Sequence, residues 1–196
     1  MSTLRSLICS DITDKDTTHS YLEPYEELLA PRRQSARRVL EVGVQQGGSL
    51  MLWRDYFPHA EVVGVDLDRC PARGPRITCV QGDAYREETV EYLRALGPFD
   101  VLIDDGSHAL EHLKFFAARY TSLLAPGGVL VIEDVETIDW VSAIRDAFPE
   151  HVRPQVRVLD RRHIKGRYDD ILMVFESGKG GQASACPVSG VISASA

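Results

Sequence analysis

Short, nearly continuous apolar runs alternate with longer amphipathic stretches, the pattern of buried parallel strands joined by helices. The strand candidates are Val39-Leu40-Glu41-Val42, Val62-Val63-Gly64-Val65, Ile77-Thr78-Cys79-Val80, Val101-Leu102-Ile103 and Val129-Leu130-Val131-Ile132. Between them, helical spacing predicts one helix through Leu50, Leu52, Trp53 and Tyr56, one over Glu87 to Leu96, and one through Leu110, Leu113, Phe116, Ala117 and Tyr120. Leu22 to Leu29 predicts a short helix ending before Pro31, and Ile138 to Phe148 another. Pro126-Gly127-Gly128 reads as a tight turn into the fifth strand. Gln155 to Leu159 and Ile171 to Phe175 read as two further strands with no helix-length segment between them, so they must pair antiparallel. The sum is an α/β protein, a doubly wound sheet of seven strands with helices on both faces and its last strand pair antiparallel. Residues 1–36 are a polar lid or leader, 37–177 the domain, and 178–196, rich in Gly, Ser and Ala, a disordered tail.

Two strands end in the same unusual way. Val101-Leu102-Ile103 stops at Asp104-Asp105-Gly106-Ser107-His108, and Val129 to Ile132 stops at Glu133-Asp134. Carboxylates are almost never fully buried unless paired or bound to a cation, so four of them at the carboxyl ends of neighbouring strands suggest a hard-cation site with His108 as a nearby base. The plainer alternative is that they cap the helices that follow. Successive strand residues point to opposite faces, so Glu133 and Asp134 can share a ligand only if the strand has ended between them. His112, four residues from His108, shares its helix face, yet the oxygen-rich surroundings make zinc the weaker choice and leave His112 to pack or to support the ligands rather than to be one.

The first strand runs into Glu41-Val42-Gly43-Val44-Gln45-Gln46-Gly47-Gly48-Ser49, a glycine turn that lets backbone approach a ligand. Asp66, at the end of the next strand, is placed for ribose hydroxyls, and Asp83, after the third, for a nucleoside base or a helix cap. The dinucleotide fingerprint is absent, and an acid inside the turn repels a pyrophosphate while suiting a cationic ligand.

Composition narrows the partners. A formal charge of −7 over 196 residues argues against a nucleic-acid partner. No apolar run has membrane length and the amino terminus lacks a signal-peptide pattern, so a cytoplasmic protein is expected. Cys9, Cys70, Cys79 and Cys186 have no paired spacing and read as incidental thiols of a reducing compartment.

Glu41-x-Gly43, Gly47-Gly48, Asp66 and Asp83 resemble the class I S-adenosylmethionine-dependent methyltransferases, whose sheet is Rossmann-like. Thr13-Asp14-Lys15, His19-Ser20-Tyr21, Asp104-Asp105-Gly106-Ser107-His108 and Ile132-Glu133-Asp134 resemble, more narrowly, the metal-dependent sugar O-methyltransferases of macrolide biosynthesis and the cephalosporin-hydroxylase-like family. The resemblance implies methyl transfer from S-adenosyl-L-methionine to a small-molecule hydroxyl. It implies Mg2+ held by Asp105, Glu133 and Asp134, His108 as general base, and cofactor contacts from Glu41, Gly43, Asp66 and Asp83. Gly47, Ser49 and Asp104 are counted with the cofactor residues. The additional amino-terminal domain of the macrolide enzymes has no counterpart in these residues, and 135–140 does not match their pattern, so the acceptor stays open, as does a homo-oligomer. Three rivals stand beside this reading. One is a non-catalytic cofactor-binding domain; another is a nicotinamide oxidoreductase, which Glu41 disfavours; the third is a metal-independent nucleic-acid 2′-O-methyltransferase using Lys15, Lys114 and Lys165.

Overall fold

The computed structural model describes residues 3–8 and 13–178. The elements run α1 (Leu4–Leu7), α2 (Leu22–Leu29), β1 (Arg38–Val42), α3 (Gly48–Tyr56), β2 (Glu61–Asp66), β3 (Ile77–Gln81), α4 (Glu87–Ala95) and β4 (Phe99–Asp104). They continue with α5 (Leu110–Tyr120), β5 (Leu124–Ile132), α6 (Val141–Ala147), β6 (Arg157–Asp160), α7 (Arg162–Lys165) and β7 (Ile171–Glu176). The strands form one sheet in the order β3-β2-β1-β4-β5-β7-β6. The first five pair parallel, and β7 enters between β5 and β6 antiparallel to both.

Apolar burial on both faces explains the near-continuous strand runs. Leu40, Val63, Leu102 and Leu130 face a layer with Leu113, Phe116 and Tyr120, while Val39, Val62, Ile103 and Val131 face one with Tyr25, Trp53 and Tyr56. Each fully buried aliphatic side chain contributes about 1.5–3 kcal/mol.

Three expectations are corrected and one is kept. The Pro126-Gly127-Gly128 turn lies inside β5, which begins at Leu124 and is irregular in register opposite β4. The helix expected from Ile138 opens as a 3-10 turn, Ile138–Trp140, and becomes α-helical only at Val141. The β6–β7 connection holds the one-turn helix α7, too short to cross the sheet, so the antiparallel pairing stands. Cys70 and Cys79, read as incidental thiols, are joined in a disulfide with Cα atoms 5.9 Å apart. Parallel pairing of β2 with β3 brings the loop after β2 back beside Cys79, a proximity that linear spacing does not reveal. Cys9, Cys186 and nearly all of the expected tail lie outside the described residues. Among the described residues, no helix is long and apolar enough to cross a membrane.

Candidate active site

The carboxyl edge of β1, β4 and β5 holds the acids. Past the strand ends, Asp105 N donates to Val42 O and Glu133 N to Asp104 O, both at 2.9 Å, so the three chains stay in register where the side chains converge. None of these acids caps a helix: the N-cap of α5 is Ala109, and Thr137 caps the turn after β5. The strand ends at Ile132 and Asp134 turns away with φ +53°, so Glu133 and Asp134 leave strand alternation and fall in different groups of convergent ligand atoms. His108 also sits in the left-handed region, at φ +57°. Two non-glycine residues in that sparsely populated region, side by side, mark a locally constrained site.

Around them the charges are dense. Lys15, 1% exposed, donates from Nζ to Asp105 Oδ2 at 2.8 Å and to both oxygens of Glu133 at 2.7 and 2.9 Å, with Glu41 Oε1 3.5 Å away. Tyr25 OH donates to Glu133 and Tyr21 OH to Asp134, so α2 and the residue before it close over the end of β5. His19 Nδ1 lies 2.8 Å from Asp170 Oδ1 and 3.3 Å from Asp134 Oδ1, and Ser20 Oγ donates to Asp170 Oδ2 at 2.7 Å. His108 Nε2 stands 3.5 Å from Asp105 Oδ1 and 3.8 Å from Asp134 Oδ2; it is buried and, among the described residues, without a hydrogen-bond partner.

Burial and neighbouring charge set the protonation preferences. Burial, reinforced by repulsion from the Asp105 carboxylate, raises Glu133 and Asp134, and it pushes Glu41 and Asp104 up to about 7. Burial also works against ionised Asp105, but the Lys15 ammonium and His108 outweigh it and hold that carboxyl below its ordinary value. Burial lowers His108, yet Asp105, Asp134 and Asp104 more than offset this and leave the imidazole raised.

Two cavities meet at Asp105. A mostly apolar one of about 280 Å³ is lined by Val42, Gly43, Asp66, Asp83, Tyr85 and His112, among others. A mostly polar one of about 300 Å³ is lined by Thr13, Asp14, Thr17, Ser49, His108 and Asp134, with Gly43, Gln45 and Asp105 common to both. Asp66 accepts from the backbone N–H of Val44 at 2.7 Å and of Gln45 at 3.0 Å, which fixes the glycine turn at the mouth. Gly43 is required there. Its φ is +83°, and an added Cβ would lie 1.9 Å from the Asp105 carbonyl oxygen. Gly43→Ala is therefore expected to lose at least about 1–3 kcal/mol in chemical denaturation, and an unchanged midpoint would mean the β1 and β4 ends can separate freely.

Comparison with known proteins decides what such a sheet edge belongs to. Residues 40–135 match the family model Methyltransf_24, a methyltransferase domain. These residues form a methyltransferase domain. The chain is 37% identical over 158 residues to 8-demethyl-8-alpha-L-rhamnosyl tetracenomycin-C 2′-O-methyltransferase of Streptomyces olivaceus, an alignment covering 76% of this chain and 42% of that protein. It is 36% identical over 131 residues to mycinamicin VI 2″-O-methyltransferase of Micromonospora griseorubida, covering 62% of this chain and 33% of the other. Among solved structures, the MycE methyltransferase of the mycinamycin pathway, in complex with Mg, SAH and mycinamycin VI, superposes with a TM-score of 0.69 at 25% identity, over 88% of this chain and 53% of that one. The chain thus spans less than half the length of these two curated relatives.

Within the methyltransferase domain the expected residues separate into two groups. Gly43, Ser49, Asp66, Asp83, Asp105, His108 and Asp134 line the cavities. Glu41, Gly47, Asp104 and Glu133 stand behind them: Glu41 accepts from Ser49 Oγ at 2.5 Å, Gly47 packs on Ala72, Asp104 accepts from Tyr85 OH at 2.7 Å, and Glu133 faces Lys15. His112 stacks on Tyr85, ring centroids 4.1 Å apart, which agrees with a packing role. The sequence reading gave no site role to Tyr21, Tyr25 or Asp170 and left Lys15 peripheral. For Lys15 and Tyr21 the signal was the polar stretch from Thr13 to Tyr21 that carries part of the resemblance; Tyr25 and Asp170 had none.

Proposed function

We propose that this chain is a metal-dependent O-methyltransferase that moves a methyl group from S-adenosyl-L-methionine to a hydroxyl of a small molecule, a sugar or other vicinal diol of a natural product. The observation that carries the reading is the convergence of Asp105, His108 and Asp134 on a polar cavity that adjoins the one lined by Gly43, Asp66 and Asp83. The relatives named above act on glycosylated natural products, which supports the same acceptor class.

The residues suit both groups the reaction needs. Gly43, Asp66 and Asp83 would hold the nucleoside part of the cofactor and Ser49 its other end, with Glu41 contributing negative charge from behind the turn. For the cation, ligand atoms of Asp105, His108 and Asp134 lie within 4.8 Å of one another, and the buried His108 Nε2 lacks a hydrogen-bond partner among the described residues. Asp105 and Asp134 would hold Mg2+, while Glu133, the third ligand suggested by the sequence, faces Lys15 and Tyr25 and would contribute charge from behind. When bound, the ion would acidify and orient the acceptor hydroxyl, and S-adenosyl-L-methionine would supply an electrophilic methyl group. His108 then takes the hydroxyl proton, with Asp105 and Asp134 stabilising the imidazolium that results.

Asp66→Ala is expected to weaken S-adenosyl-L-methionine binding in calorimetry by about 1.5–3 kcal/mol, the range for hydrogen bonds to a charged group. Unchanged affinity would remove Asp66 from the cofactor site. The activity itself is tested by incubating the protein with S-adenosyl-L-methionine, Mg2+ and a rhamnosylated polyketide, and reading the product mass. Cofactor binding without transfer to any glycosylated acceptor would favour an accessory domain instead. The nucleic-acid reading loses its lysines: Lys15 is buried among carboxylates, Lys165 donates to the carbonyl oxygens of Asp16, Thr17 and His19, and Lys114 pairs with Glu111 at 2.8 Å.

A further inference from the structure

The acids at the sheet edge form two clusters that share Asp105. One is Asp105, His108 and Asp134; the other is Glu41, Asp105 and Glu133, and in each the ligand atoms lie within 4.8 Å of one another. The second cluster is as well built for a cation as the first. Its two glutamates are at most 1% exposed, and Glu41 Oε1, aimed into it, has no hydrogen-bond partner among the described residues. What differs is that Lys15 reaches into the second cluster from the amino-terminal segment, its Nζ 2.8 Å from Asp105, 2.7 Å from Glu133 and 3.5 Å from Glu41.

We propose that the Lys15 ammonium is the resident cation of this second carboxylate cluster and keeps the centre to a single divalent ion. The inference rests on the metal reading of Asp105 and Asp134 given above. Paired divalent ions form where two carboxylate sets share a bridging ligand, typically with the ions about 3.5–4 Å apart, and Asp105 is placed as such a bridge. The ammonium blocks that outcome by charge and by position. It supplies a fixed positive charge that never exchanges with solvent metal, and it leaves Asp105 Oδ1 turned toward His108. Lys15 is in this sense a positioning residue, since it acts through Asp105 and Glu133.

The test is the ion count. Mn2+ binding is followed by calorimetry and by electron paramagnetic resonance on the wild-type chain and on Lys15→Ala, whose short side chain vacates the cluster. The wild type is expected to bind one Mn2+ per chain, with the spectrum of an isolated ion. Lys15→Ala is expected to bind two, with the broadened spectrum of an exchange-coupled pair, and Lys15→Ala with Glu41→Gln should return to one. Where Lys15→Ala is unstable without metal, Mn2+ should restore its folding transition, because the ion replaces the missing charge. Equal counts and isolated-ion spectra in wild type and Lys15→Ala would overturn the proposal, as would a variant that stays unfolded at saturating Mn2+. A wild type that binds no Mn2+ while Lys15→Ala binds one would overturn the metal reading and leave the role of Lys15 standing.

Discussion

His108→Ala is expected to lower turnover by about 10²–10⁴-fold, the usual contribution of a positioned base, with cofactor affinity unchanged and Mg2+ affinity altered little. The imidazole is set for this by backbone as much as by contacts. The φ of +57° turns His108 back over the end of β4, so that Nε2 faces Asp105 and Asp134 and has no competing partner among the described residues. Magnesium prefers oxygen ligands, which leaves the ring free for proton transfer. The same closeness makes His108 a third ligand in the competing arrangement, so metal affinity, measured beside turnover, is the deciding readout. A mutant that loses Mg2+ as completely as Asp105→Asn does would make His108 a ligand and remove the base.

Excess EDTA is expected to abolish methyl transfer, and added Mg2+ to restore it. Asp105→Asn and Asp134→Asn should each lower turnover at fixed Mg2+ by about 10²–10³-fold, corresponding to the several kcal/mol of charge stabilisation that a bound ion supplies. Thermal melts of the same variants without metal provide the control. Asp105 is a partner of Lys15, so Asp105→Asn should also shift the melting temperature, whereas Asp134 is held by the neutral Tyr21 hydroxyl as well as by His19. Full activity in excess EDTA would sink the metal-dependent mechanism and favour simple proximity catalysis on the same cofactor cavity.

Much of this arrangement was legible in the sequence because it follows local rules. An apolar run ending in two carboxylates is poor packing, and two such runs in a parallel sheet must end at the same edge, so Asp105 and Asp134 were brought together by counting strands. Asp66 was legible for the same reason. Lys15 was not, because its partners lie 90 and 118 residues away, and nothing in a polar turn announces which side chain will be buried. Asp170 is likewise 151 residues from His19. The direction in which Glu133 and Glu41 face was equally hidden: strand alternation places a side chain on a face, whereas the choice between a cavity and an internal ammonium depends on what packs behind it. The Cys70–Cys79 bond went unseen because a loop, not a motif, closes it.

The reach of Lys15 also bears on how the molecule assembles. The parallel half of the sheet is built from successive β-α units, and the amino-terminal segment covers one of its faces with Leu22, Tyr25, Leu28 and Leu29. The ammonium can enter only when β1, β4 and β5 have already lined up, since the carboxylates it joins come from all three. Until then those acids remain hydrated and mutually repelling at the open edge. Seating the Lys15 ammonium therefore depends on the finished sheet edge, so the scaffold precedes the charge pattern it carries.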